Sequence, residues 1–182
     1  QHIIKSLKPD TGRSVSLWPH GVLFRDAEAS IRKKMIEEDV VDAVIGLGKN
    51  LFYNSSMESC LLVCNMNKPK ERRGKIIFIN GVNEIKLERS SAYLEDKNIK
   101  RIADAFWNFE DEDGFSKIVS IEDIEKNNWL LTVFMYVMNN NGSESTESID
   151  SLINKIGNNQ KRLNSLNDEL LSKLDQIGYG NE

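Results

Sequence analysis

The sequence predicts an α/β sheet with an antiparallel edge, followed by a long helical tail. Three observations carry this. Over residues 1–80 helical stripes and short apolar runs follow one another as helix, strand, helix, strand, strand, the order of an α/β layer. Val40–Ile45 is an almost unbroken apolar run, as expected of a strand buried on both faces. Ile149, Ile156, Leu163, Leu170 and Ile177 then recur every seven residues, the period of a helix packed along another helix.

Each element has its own justification. Ile3, Ile4 and Leu7 form the stripe of a first helix, which Pro9 and Gly12 end. Ser14–Trp18 reads as a short strand stopped by Pro19-His20-Gly21. A second helix is expected from about Ala27 to Glu38, with Ile31, Met35 and Ile36 on one side. Val40–Ile45, Cys60–Cys64 and Lys75–Ile79 read as strands. Lys68–Lys75, with five positive charges, reads as a solvated turn between the last two. Ile99, Ile102, Ala103, Phe106 and Trp107 mark a helix over residues 96–109. Ser120 with Asp123 is a helix-start pattern, and Asn127-Asn128 would end that short helix. Trp129–Met138 is apolar enough for a buried strand, and Asn139–Ser145 reads as a linker.

Composition excludes several classes. The 182 residues are 40% apolar, so the chain is not a disordered polymer. No apolar run is long enough to cross a bilayer. A net charge of −4 argues against a free-standing nucleic-acid binder. Cys60 and Cys64 share a strand face about 13 Å apart, at about 3.3 Å per residue, too far for a disulfide. With two remote histidines, no metal site is expected. Buried, reduced thiols fit a cytoplasmic protein. Gln1–Lys5 carries neither an initiator Met nor a signal peptide and reads like the middle of a helix, so the chain is expected to be a piece of something longer. No nucleophile elbow, phosphate loop or kinase signature is present.

The order of several strings adds to this. Leu7-Lys8-Pro9, Pro19-His20-Gly21-Val22-Leu23-Phe24-Arg25, Ile31-Arg32-Lys33-Lys34, Ile36–Leu47 and Asn50-Leu51-Phe52-Tyr53-Asn54 strongly resemble the methylation subunit of type I restriction–modification systems. The resemblance continues through Asn67-Lys68, Lys75–Ile79, Gly114-Phe115-Ser116 and Ile121 to about Val137. That family is a DNA adenine-N6 methyltransferase dependent on S-adenosylmethionine. It implies the C-terminal part of a doubly wound methyltransferase sheet. Residues 1–80 would be its last third, 81–138 an α/β extension, 139–147 a linker and 148–182 a coiled-coil-like helical tail.

The resemblance implies functional residues as well. Phe52, with Tyr53 beside it, matches the aromatic that stacks on a flipped-out base, although two aromatics packing under a loop would look the same. His20, at the carboxyl edge of a strand, is a candidate wall of the cofactor or base pocket, or simply the holder of its turn. The catalytic Asn-Pro-Pro-aromatic motif is not available, because the only prolines are Pro9, Pro19 and Pro69, none preceded by Asn. The chain alone is therefore expected to be inactive and to bind no S-adenosylmethionine. The implied partners are DNA, the specificity subunit and the restriction subunit, with no membrane. The seam Ile149, Ile156, Leu163, Leu170 and Ile177 would engage a partner helix, pair with a second copy, or fold back on its own domain. A non-catalytic interaction module remains the alternative.

Four departures from the family pattern stand out. Trp18 precedes the proline of Pro19-His20-Gly21, Gly48 replaces a proline, Asn54–Glu58 replaces Asn-Thr-Gly-Ile-Pro, and Leu131–Tyr136 lacks the usual proline. Glu58, beside a DNA-facing loop, is expected to repel phosphate.

Overall fold

A mixed five-stranded sheet is the centre of the computed structural model, which describes residues 2–52, 55–88, 91–137, 159–160, 162–167, 170 and 173. The chain divides into two compact units, Gln1–Asn141 and Gly142–Glu182. In the first unit the strands are β1 (Arg13–Pro19), β2 (Val41–Leu47), β3 (Ser59–Asn65), β4 (Lys75–Gly81), β5 (Lys86–Glu88), β6 (Ser91–Tyr93) and β7 (Ser116–Ser120). The helices are α1 (His2–Lys5), α2 (Ala29–Glu37), α3 (Asp96–Asn108), α4 (Ile121–Lys126) and α5 (Val133–Val137).

The sheet order is β1-β3-β2-β4-β7, and β5 and β6 form a separate hairpin. β3 is antiparallel to both β1 and β2, β2 and β4 are parallel, and β7 is antiparallel to β4. β1, β2 and β4 therefore point the same way. Their carboxyl ends, Pro19, Leu47 and Gly81, lie on one edge, where β3 begins at Ser59. The antiparallel pairing expected at the sheet edge is present, and β3 is inserted between β1 and β2.

β2 is buried along its whole length because both faces are covered. On one side Val41 and Val44 pack with Ile36, Ile76, Phe78, Ile124 and Tyr136, beneath α2, α4 and α5. On the other Ala43 and Ile45 pack with Ile77, Ile79, Ile102 and Phe115, beneath α3. Each fully buried Ile or Phe contributes about 1.5–3 kcal/mol. α3 starts at a capping box in which the backbone N–H of Glu95 donates to Asn98 Oδ1 at 3.1 Å. At α4 the hydroxyl of Ser120 accepts from Asp123 N at 3.1 Å, the cap expected there.

Three expectations need correction. Of the strand expected over residues 129–138, the described residues 129–137 form none; Val133–Val137 is the short helix α5, with Val133, Tyr136 and Val137 buried and Phe134 exposed. A short apolar run cannot by periodicity alone separate a buried strand from a buried helix. The sheet position beside β4 goes instead to β7, which sequence reasoning passed over. The basic turn is not merely solvated. Lys68 Nζ is buried and pairs with Asp39 Oδ1 at 2.6 Å while donating to the Lys75 carbonyl at 2.8 Å. Arg72 is buried between the rings of Phe106 and Phe109. The partners of both cations are distant in sequence, so a charge count could not reveal them. Finally, the second helix opens as a 3-10 turn at Asp26–Glu28, and its α-helical part begins at Ala29.

Cys60 and Cys64 are buried free thiols on β3, as expected. In the second unit Leu163 and Leu170 are helical and exposed, while the seam residues Ile149, Ile156 and Ile177 and the linker 139–147 lie outside the described residues. Among the described residues no helix is long and apolar enough to cross a membrane, and no group of His, Cys, Asp and Glu could hold a metal ion.

Candidate functional site

In open α/β sheets ligands bind beyond the carboxyl ends of the parallel strands. Here that edge is built from the turn after β1, the loop after β2 and the start of β3. Pro19 ends β1 and the chain winds into a 3-10 turn, His20–Leu23. Arg32, buried on α2, fastens that turn: its Nη1 donates to the carbonyls of Val22 at 3.0 Å and Arg25 at 2.7 Å, and its Nε to Trp129 at 3.3 Å. Burial lowers the Arg32 pKa from its ordinary value, opposed by the nearby carboxylates Glu28 and Asp26.

The loop after β2 is held from beneath. Asn50 takes a left-handed φ of 61°, and its carbonyl accepts from Ala92 N at 2.8 Å, which ties the loop to β6. A Cβ on Gly48 would meet the carbonyl of Val82 at 2.5 Å, so the loop packs directly on the chain after β4. Gly48 is thus in close contact with the protein's own backbone, whereas a Cβ on Gly46 would meet its neighbours at 3.5 Å or more, ordinary contact.

Phe52 lies at the rim, 38% exposed, and turns back on Ser55, whose N–H donates to its carbonyl at 3.1 Å. With Trp18, Met57 and Glu58 it lines a cleft of about 180 Å³ between the end of β1 and the start of β3. Trp18 is positioned by a bond from its indole N–H to Ser16 Oγ at 2.8 Å. Glu58 joins the cleft to its two neighbours: one oxygen lies 3.5 Å from His20 Nδ1 and the other 3.5 Å from Lys49 Nζ. The His20 Nε2 atom is buried without a hydrogen-bond partner.

Glu58 thus shares the cleft with Phe52 and stands 3.5 Å from His20, which does not itself line the cleft. Tyr53 lies outside the described residues. Sequence reasoning missed the roles of Lys49 and Arg32. It also read Glu58 as a bare negative charge, whereas two nitrogens flank it. The signal for Trp18 was its departure from the family pattern, and it stands on the cleft wall.

A model of the N-6 DNA methylase family matches residues 1–145. The chain is 40% identical over 168 residues to the type I restriction enzyme MjaVIII methylase subunit of Methanocaldococcus jannaschii, an alignment covering 87% of this chain and 27% of that protein. It is 32% identical over 168 residues to the MpnII methylase subunit of Mycoplasma pneumoniae, covering 88% and 31%. The crystal structure of a type I restriction–modification methyltransferase subunit from Streptococcus thermophilus superposes with a TM-score of 0.69 at 34% identity, over 74% of this chain and 28% of that one. The chain spans about a quarter to a third of the length of these relatives. With its central sheet and four-fifths of its length matched in this way, the chain belongs to the N-6 DNA methylase family, among relatives that are methylase subunits of type I restriction enzymes.

Proposed function

We propose that these residues form the C-terminal part of a type I methylase subunit, which in its intact cytoplasmic assembly methylates adenine N6 in DNA using S-adenosylmethionine. The observation that carries the reading is the cleft at the carboxyl edge, where Phe52 and Trp18 share the wall with Glu58, whose two oxygens lie 3.5 Å from His20 and Lys49. An adenine lifted from the duplex needs a flat apolar platform, and Phe52, with Tyr53, supplies it. His20 stands behind Glu58, 3.5 Å from it, and acts on the same pocket through that carboxylate.

The chain alone is inactive and does not hold the cofactor. No Asn-Pro-Pro-aromatic sequence occurs in the 182 residues, and Gly48 packs closely on the Val82 carbonyl rather than opening towards a ligand. Both functions belong to polypeptide outside this chain, so no step of methyl transfer is assigned to residues here. Residues 1–80 complete the methyltransferase sheet, 81–138 extend it, 139–147 link it to the tail, and 148–182 meet the helices of the specificity subunit through Ile149, Ile156, Leu163, Leu170 and Ile177. DNA and the restriction subunit complete the assembly.

A second reading, a non-catalytic interaction module or self-associating remnant, is favoured by Leu163, Leu166 and Leu170, exposed at helical spacing on the tail. One experiment separates the two. This chain replaces the matched quarter of the MjaVIII methylase subunit, and the chimera is assayed with its specificity subunit for methyl incorporation into DNA. Incorporation supports the first reading; a folded chimera without it supports the second. Micromolar binding of S-adenosylmethionine by the 182-residue chain alone, seen by calorimetry, would contradict the assignment of the cofactor site elsewhere.

A further inference from the structure

Lys49 stands between two anchored residues. A Cβ on Gly48 would meet the Val82 carbonyl at 2.5 Å, and the Asn50 carbonyl accepts from Ala92 N at 2.8 Å. The Lys49 backbone is therefore fixed three residues before Phe52, on the same loop. Its side chain is 63% exposed, so the ammonium is open to solvent while its root is held.

That ammonium is loosely held. Nζ lies 3.5 Å from one oxygen of Glu58, longer than a charge-assisted hydrogen bond, and a pair this exposed contributes little. The other oxygen lies 3.5 Å from Nδ1 of His20, whose side chain is only 28% exposed. The two neighbours of Glu58 are thus unequal: Lys49 can swing away, whereas His20 stays and keeps the carboxylate accompanied. Glu58 lines the cleft with Phe52 and Trp18, so the cation is kept beside the aromatic platform. A nucleotide whose base lies on Phe52 brings the phosphates of its own strand to the same rim. There a phosphate offers Lys49 a charge-assisted hydrogen bond in place of the longer pair, and binding releases counterions from the DNA.

We propose that Lys49 binds a backbone phosphate beside the adenine held on Phe52, and that Glu58 masks Lys49 until that strand arrives. The inference rests on the functional reading above and adds to it a cationic contact and the means of its release. Glu58 is a positioning residue that acts through Lys49. By pairing with the lysine it screens it from anions that bring no base to the platform.

The test uses the chimera described above, in complex with its specificity subunit and the DNA duplex that subunit recognises. Dissociation constants are measured over a range of salt. Lys49→Met is expected to weaken binding about threefold at low salt and to reduce the salt slope by about one, while Lys49→Arg keeps both near the native values. Glu58→Gln is expected to tighten binding about threefold, and to change nothing in the Lys49→Met background. On a duplex with neutral methylphosphonates in place of the phosphates flanking the target adenine, native and Lys49→Met complexes are expected to bind alike. An unchanged slope in Lys49→Met, in a complex that still methylates, overturns the proposal and leaves the functional reading standing. A Lys49→Met loss that persists on the methylphosphonate duplex moves the contact elsewhere and also overturns it. An equal gain from Glu58→Gln in both backgrounds shows bare repulsion by Glu58 and overturns the masking. A native complex that melts normally yet binds no DNA overturns this proposal and the functional reading together.

Discussion

Arg72 Nη2 donates to the carbonyl of Phe106 at 2.6 Å while its guanidinium carbon lies 4.7 Å from the centre of the same residue's ring. The Phe109 ring stands 4.6 Å away, and the Trp107 carbonyl accepts a further bond at 3.1 Å. One cation thus closes the carboxyl end of α3, where the helix dipole favours positive charge. Arg72→Ala should destabilise the first unit by about 2–4 kcal/mol, since it strips two carbonyls and Asp42 of their cation. Arg72→Met, which keeps the packing, should lose visibly less. Urea unfolding followed by circular dichroism measures both, and equal losses would show that the stacking contributes nothing.

Burial pushes the Cys60 thiol up to about 12 from its ordinary 9.0, and the hydroxyl of Tyr136 up to about 12 from 10.0. Above pH 9 the unfolded chain sheds the Cys60 proton while the folded chain keeps it, so the unfolded state binds fewer protons and stability falls as pH rises. The loss should run from about pH 9 to pH 12, at no more than about 1.4 kcal/mol per pH unit from Cys60. Tyr136 should add its share from about pH 10. Cys60→Ala should flatten the first part of the curve, and an unchanged slope in that variant would contradict the assignment.

Gly81 pairs with Leu47 at the parallel β2–β4 seam. A Cβ there would stand 2.8 Å from the carbonyl of Gly46 and 3.0 Å from Ile102 Cδ1. Backbone cannot yield as a flexible side chain can, so Gly81→Ala should cost about 1–3 kcal/mol through overpacking. Gly74, with φ of 68° and open space around it, is the contrast. Ala there should cost about 1–2 kcal/mol by backbone conformation alone, and Asn less. Thermal melts of the three variants separate crowding from conformation.

Phe52 is half-exposed, so Phe52→Ala should change the stability of the chain by no more than about 1 kcal/mol. In the methylating chimera the same change should reduce turnover by roughly the value of one base stack, about 1–3 kcal/mol, while Phe52→Trp retains most of it. A variant that melts normally and methylates normally would remove Phe52 from the base platform.

Much of the fold was legible where local pattern and tertiary role coincide. β2 shows itself through Val40–Ile45 because both of its faces are buried. α3 shows itself through its stripe, and α4 through the Ser120 cap. What stayed hidden depends on partners remote in sequence. Lys68 and Arg72 look like surface charges until Asp39 and the end of α3 fold over them. β7 and α5 escaped because a five-residue element carries too little periodicity to declare its type. At the candidate site, Phe52 and His20 were singled out through family strings, whereas the contacts that Lys49 and Glu58 make there depend on loop closure.

β3 is gripped on both sides, in register with β1 from Arg13–Asn65 to Pro19–Ser59 and with β2 from Ala43–Val63 to Leu47–Ser59. Among the described residues between Phe52 and Ser59, none belongs to a strand of that sheet. The length and chemistry of this segment are free to drift while the frame stays still. Changes of residue type between Ser55 and Glu58 can therefore alter the wall of the cleft without disturbing the strand pairing beneath it.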